Sequence, residues 1–217
     1  MSMARRRAAK HVVTLLAAAL AAPALAADCP TGLFMAAAGP DTAGGLELLP
    51  DGRFRFAFSE GAVDEAAQGR WRCRDGTLLL TTEPTPTPAA FRLETVREGD
   101  APFSLVVTWP DGRGVPAVDF LLVVETGEPV TGYTQADGWS ADLDGRLPLS
   151  VQVTEPFYGT ISPVFALPRR RNIAVRIVLD PHDMGTAAFA DTPVTQADGG
   201  LILHWRGRAI AYERSDD

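Results

Sequence analysis

Few residues in this chain are equipped for chemistry. The densest polar cluster is Asp180-Pro181-His182-Asp183-Met184. It places two carboxylates, an imidazole and a thioether within five residues, and His with Met would suit copper. One loop cannot close a coordination sphere, and neither a His-x-His pair nor a methionine run accompanies it. The segment therefore reads as a proline-initiated turn with Asp side chains capping it. Asp142-Leu143-Asp144-Gly145 opens like a calcium loop but lacks the third acidic position and the distant glutamate, so it too reads as a turn. Gly138-Trp139-Ser140-Ala141-Asp142 lacks the closing glycine of a nucleophile elbow. Asp64 and Glu65 are adjacent, and adjacent side chains on an extended chain point apart, which disfavours an acid-base pair. His204 falls on a polar face beside Arg206 and reads as solvated. The chain has no glycine-rich phosphate loop. No catalytic residue, no metal and no cofactor is expected.

What stands out instead suits binding. Phe157 and Tyr158, in Glu155-Pro156-Phe157-Tyr158-Gly159, precede a run of three arginines, Arg169, Arg170 and Arg171. Aromatics and Arg are enriched where partners are gripped. Gly159 to Leu167 is long enough to go out and back, with Pro163 near its middle, so both groups are expected at one end of a sheet. A partner in the form of an envelope protein or a carboxylated glycan is expected there, while the alternative is a core Phe157, a rim Tyr158 and solvated arginines.

The cysteines and the N-terminus bear on compartment. Arg5, Arg6, Arg7 and Lys10 form a basic start, Val12 to Ala22 a short apolar run, and Ala24-Leu25-Ala26 a small-residue cleavage site. Residues 1–26 are thus expected to be a signal peptide cleaved after Ala26, with the protein periplasmic or secreted. Asp28 before Cys29 disfavours lipidation, and no segment is long and apolar enough to make a membrane span expected in the mature chain. An oxidising compartment favours a bond between Cys29 and Cys73.

Charge excludes one class of partner. The sequence has 20 basic and 27 acidic residues; removing the four basic residues of the expected signal leaves 16 against 27, a net charge of −11. Phosphate backbones require a basic footprint, so nucleic acid is not expected as a partner.

The elements that must position these residues are strands. Six Asp-Gly pairs, at Asp51, Asp75, Asp111, Asp137, Asp144 and Asp198, separate short alternating runs. Asp-Gly tolerates the positive φ of a tight hairpin turn. Phe54, Phe56 and Phe58 share one face of their run against Arg53 and Arg55, and Trp71 with Cys73 is expected inward against Arg70, Arg72 and Arg74. Leu201, Leu203 and Trp205 align, as do Ile173, Val175, Ile177 and Leu179. Phe120 to Val124 is continuously apolar and reads as a strand covered on both faces. Thr134-Gln135-Ala136-Asp137-Gly138 recurs as Thr195-Gln196-Ala197-Asp198-Gly199, which reads as reused turn chemistry. The class is all-β: an antiparallel barrel-like meander plus a β-sandwich.

Residues 45–81 resemble the meander of small lipocalin-like domains of exported bacterial proteins. The resemblance is carried by Leu46-Glu47-Leu48-Leu49-Pro50-Asp51-Gly52-Arg53-Phe54-Arg55-Phe56, then Gly69-Arg70-Trp71 and Asp75-Gly76-Thr77-Leu78-Leu79-Leu80. Residues 111–143, through Gly114-Val115-Pro116 and Thr134 to Trp139, resemble the start of a carboxypeptidase-regulatory-like, transthyretin-type sandwich. Both resemblances imply binding or structural modules and bring no catalytic residues. The expected layout is a lipocalin-like domain over 28–109, a sandwich over 110–180, and a C-terminal hairpin over 181–217 whose return to the first domain is left open. The expected function is non-enzymatic, by binding or as a structural envelope module. The alternatives are a carrier of a small apolar ligand, lined by Phe54, Phe56, Phe58 and Trp71, and an enzyme of unrecognised type.

Overall fold

Alternation of apolar and polar side chains, broken every few residues by Asp-Gly, leaves little but antiparallel pairing for this chain. The computed structural model describes residues 29–37 and 39–215, and it is all-β over them. The expected signal peptide, residues 1–26, lies outside the described residues. In all six Asp-Gly pairs the glycine takes a positive φ, between +77° and +97°, as tight turns require.

The first five strands form a meander: β1 (Gly32–Ala36), β2 (Thr42–Leu48), β3 (Arg53–Glu60), β4 (Val63–Arg74) and β5 (Thr77–Thr82). The chain then leaves through Pro84 to Ala89 and builds a second body. Its strands are β6 (Ala90–Glu98), β7 (Phe103–Thr108), β8 (Asp119–Val124), β9 (Val130–Tyr133) and β10 (Trp139–Ala141), followed by β11 (Pro148–Glu155), β12 (Thr160–Ile161), β13 (Phe165–Ala166) and β14 (Ile173–Asp180). It returns through residues 181–191 to β15 (Thr192–Ala197), β16 (Gly200–Trp205) and β17 (Arg208–Arg214). These last three strands close the meander into an eight-stranded barrel, with β17 against β1 and β15 against β5. The C-terminal hairpin therefore pairs with the first meander.

The barrel interior is filled. Phe54, Phe56 and Phe58 all point inward and are buried with Phe34, Leu46, Leu48, Leu78 and Tyr212. Phe189 enters this core from the returning connector; its ring centroid stands 5.0 Å from that of Phe56 and 5.8 Å from that of Phe54. Along β4, Gly69 sits where the neighbouring strand comes closest: a Cβ there would lie 2.0 Å from the Thr81 carbonyl oxygen.

The second body is a two-sheet sandwich. One sheet runs β10-β7-β14-β6 and the other β12-β11-β8-β9, with β13 also on β11. Ile173, Val175, Ile177 and Leu179 of β14 share a single core with Phe120, Leu122, Val151 and Val153 of the facing sheet. Strands β6 and β7 belong here, since β14 pairs antiparallel with β6 and parallel with β7. Residues 90–108, grouped with the first meander by the sequence layout, thus hydrogen-bond within the sandwich.

Two burial expectations are corrected. β8 is covered on one face only: Phe120, Leu122 and Val124 are buried, but Leu121 is 40% exposed because no layer packs on the outside of its sheet. Cys73 shares the inward phase of Trp71, yet it is exposed, because the end of β4 runs past the core to the barrel rim. Trp71 is half-buried there and its Nε1 donates to the Leu49 carbonyl at 3.0 Å. The Cys29 and Cys73 sulfurs lie at disulfide distance, with Cα atoms 5.9 Å apart. The pair ties the start of the described chain to the rim.

Candidate functional site

β4 alternates in and out of the barrel, which sends Asp64 outward and Glu65 inward. Glu65 lies opposite Phe58 near the barrel end that faces the sandwich, and its side chain is only 3% exposed. Its counter-charge comes from the β16–β17 hairpin. Arg206 and Gly207 form a two-residue turn with φ of +50° and +71°, flanked by the Trp205–Arg208 pair. This turn lays the Arg206 guanidinium 4.3 Å over the Trp205 ring and brings its Nη2 to 2.8 Å from Glu65 Oε1. Trp205 is itself braced edge-on by Phe56 and Phe189. Oε1 is thus buried with an ion partner at short range but without a well-directed hydrogen bond. Burial pushes the Glu65 carboxyl above its ordinary range, and the proximity of Arg206 offsets this only in part.

Glu65 opens into a cleft of about 150 Å³ between barrel and sandwich. The two connectors form its walls, and they are hydrogen-bonded to each other. Thr87 N–H donates to Asp183 Oδ2 at 2.8 Å, and Asp183 N–H donates to the Thr87 carbonyl at 3.1 Å. Thr160 and Tyr158 close the sandwich side, with the Tyr158 hydroxyl donating to the Asp64 carbonyl at 3.3 Å. The returning connector is anchored at both ends: Met184 packs on the sandwich core, and Ala187 and Phe189 are buried in the barrel core. Thr82 holds it there, its hydroxyl donating to the Ala187 carbonyl at 2.7 Å.

The structure separates the residues expected to form one patch. Phe157 and Tyr158 occupy the β11–β12 turn, where the Glu155 carboxylate accepts from both of their N–H groups at 2.9 Å. Phe157 is 47% exposed and Tyr158 turns toward the cleft. The arginines follow β13, which pairs with the opposite end of β11. Residues 159–167 run the length of β11 rather than out and back, so eight residues of strand, about 25 Å, lie between the two groups. Arg169 is ion-paired with Glu125 and Arg170 with Glu98, while Arg171 lines a separate polar hollow with Arg146 and Asn172.

The Asp180–Met184 segment folds as a turn, with Met184 N–H donating to the Pro181 carbonyl and Asp180 paired with Arg92. Asp183 points toward the connector rather than toward His182, which is exposed. His204 is exposed as well, its Nε2 2.9 Å from Thr195 Oγ1. Among the described residues no group of three or more His, Cys, Asp or Glu is placed to hold a metal ion. No helix among them is long and apolar enough to cross a membrane.

Glu65, Arg206 and the Thr87–Asp183 link make the candidate site; of these the sequence pattern singles out only Asp183, as part of the Asp180–Met184 cluster. A signal for Glu65 existed. It lies in phase with Trp71, so the alternation that turns Trp71 inward also turns Glu65 inward. Comparisons with family models, with curated proteins and with solved structures find no match to this chain.

Proposed function

We propose that this protein is an exported, non-enzymatic binding module of the cell envelope, and that it binds through the cleft between barrel and sandwich. The observation that carries this reading is Glu65, a carboxylate that lines the cleft and is buried at the barrel end, with its Oε1 short of a well-directed hydrogen bond. Buried polar groups are ordinarily satisfied, and one left short of a donor beside an opening marks a place where a ligand can complete it. Convergent polar groups in a cleft, one with a perturbed pKa, are the usual signature of such a site. The filled barrel interior favours the cleft over the barrel as the place of binding.

Export to the periplasm or beyond, after cleavage at Ala26, agrees with the Cys29–Cys73 pair, since such bonds persist in oxidising compartments. The chemistry gathered at the cleft suits recognition: two carboxylates, one guanidinium, hydroxyls and apolar walls.

A photo-crosslinking residue placed at Thr160, on the cleft wall, tests the reading in envelope extract. It is expected to capture a ligand or partner that the same residue at Thr131, on the sandwich strand β9, does not. Equal capture at both positions, or none at Thr160, would overturn the assignment of the cleft.

A further inference from the structure

Glu65 is paired, but poorly. Arg206 supplies a positive charge 2.8 Å from Oε1, yet that oxygen has no well-directed hydrogen bond, so the carboxylate has a counter-ion and an acceptor only partly used. Arg206 is also within reach of solvent. Its side chain is 48% exposed and stands on a two-residue turn, and its stacking on the Trp205 ring, 4.3 Å away, does not depend on the contact with Glu65. On the basis that the cleft is the binding site, we propose that it takes the ammonium group of a small organic amine, which displaces Arg206 and donates to Glu65.

An ammonium carries three rotatable donors on a compact charge, and so can aim one at an acceptor more readily than a planar guanidinium on a fixed turn can. The rest of the cleft agrees with a cation on a short alkyl stem. Asp183 sets a second carboxylate at the rim, with Oδ2 engaged by Thr87. Pro86, Pro88 and Met184 supply apolar wall for methylene groups. The volume of about 150 Å³ limits the part that enters to a few heavy atoms. An anion is disfavoured, because it would reach Arg206 only beside Glu65 and Asp183. The raised Glu65 pKa agrees with a carboxylate that its resident partner compensates incompletely.

The role of Arg206 separates this proposal from its rival. If the guanidinium is a placeholder, removing it helps the ligand; if it is the ligand's own contact, removing it abolishes binding. Isothermal titration calorimetry with 1,5-diaminopentane, 1-pentanol and glutarate, on the mature chain and its variants, reads this out. Binding is expected for the diamine and not for the alcohol or the dianion. Glu65→Gln is expected to weaken the diamine about tenfold or more, the worth of a hydrogen bond to a charged group. Arg206→Ala is expected to tighten it several-fold. Asp183→Asn, whose amide oxygen can keep the Thr87 bond, should weaken it more modestly and serves as the second probe should Glu65→Gln fail to fold. Glutarate binding that Arg206→Ala abolishes would make this an anion site and overturn the proposal. A diamine that does not bind, while Thr160 still captures a ligand, would overturn the amine assignment and leave the cleft reading standing.

Discussion

Phe189 tests how the barrel is held together. It is the aromatic that the returning connector contributes to the barrel core, and replacing it with Ala empties the centre of the Phe54, Phe56 and Trp205 cluster. The site cannot easily collapse, because the backbone at 189 is fixed: Thr82 N–H donates to the Phe189 carbonyl at 2.9 Å, and Phe189 N–H donates to Thr82 Oγ1 at 3.0 Å. A void of roughly 100 Å³ at about 24 cal/mol per Å³ costs about 2.4 kcal/mol. The lost transfer energy of the ring adds about 1.5–2 kcal/mol. The expected loss is therefore about 4 kcal/mol, read from urea unfolding followed by tryptophan fluorescence. Amide exchange should localise it, with protection falling in β3 to β5 while β14 keeps its own. The variant should also take up benzene or xenon in the new apolar void, as dry engineered cavities do, whereas the wild type should not. A loss under about 1 kcal/mol would refute the placement of the ring at the barrel centre. Equal uptake of benzene by the wild type would refute the filled interior and favour an apolar-ligand carrier.

Two further outcomes follow from the same geometry. Replacing both Cys29 and Cys73 with Ser should destabilise the fold by about 4 kcal/mol on the chain-entropy account of a cross-link spanning 44 residues. Urea midpoints of the double variant and the oxidised wild type measure it, and equal midpoints would show that the bond constrains little. Glu65 gives a pH signature: its folded pKa lies above the unfolded one, so its contribution is most favourable below the ordinary carboxyl range and is lost as pH rises through the folded value. Glu65→Gln should therefore gain Tm relative to the wild type as pH rises above the ordinary carboxyl range, and a difference that stays flat or shrinks as pH rises would refute the burial argument.

Local chemistry was legible in the sequence and long-range placement was not. Alternation correctly turned Phe54, Phe56 and Phe58 inward, and Ile173 to Leu179 toward a core, because a period of two needs only neighbours in the chain. The Asp-Gly pairs were legible for the same reason. The pairing of β14 with β6 and β7 joins residues 70 to 90 positions apart, and no turn residue encodes it. The separation of Tyr158 from Arg169 turned on whether residues 159–167 double back or follow β11, a choice made by strand pairing. Cys73 shows the limit of periodicity in another way: phase gives the direction of a side chain, but where the strand outruns the core, direction no longer means burial. Glu65 is the converse, a charged residue whose phase was inward and whose type argued for water.

The connectors explain why such a residue is buried. The chain leaves the barrel after β5 and returns at β15, its immediate neighbour, so the sandwich is attached at a single seam. Past Gly69, β5 no longer accompanies β4, and the returning connector takes its place: Ala66 N–H donates to the Gly185 carbonyl, and Ala187 N–H donates to the Ala66 carbonyl. The connector thus serves as a short parallel strand beside the residue next to Glu65. It covers the barrel end that would otherwise admit water, and in doing so it desolvates the carboxylate. Met184 and Phe189 secure it in the two cores, so the cleft wall is held by the packing of both bodies. A loop with this path needs no carboxylate beneath it for stability; an alanine at 65 would continue the small-residue run of Ala66 and Ala67. A buried carboxylate at such a seam, paired with a half-exposed guanidinium and lining a cleft, is the feature that the proposed binding role would draw on.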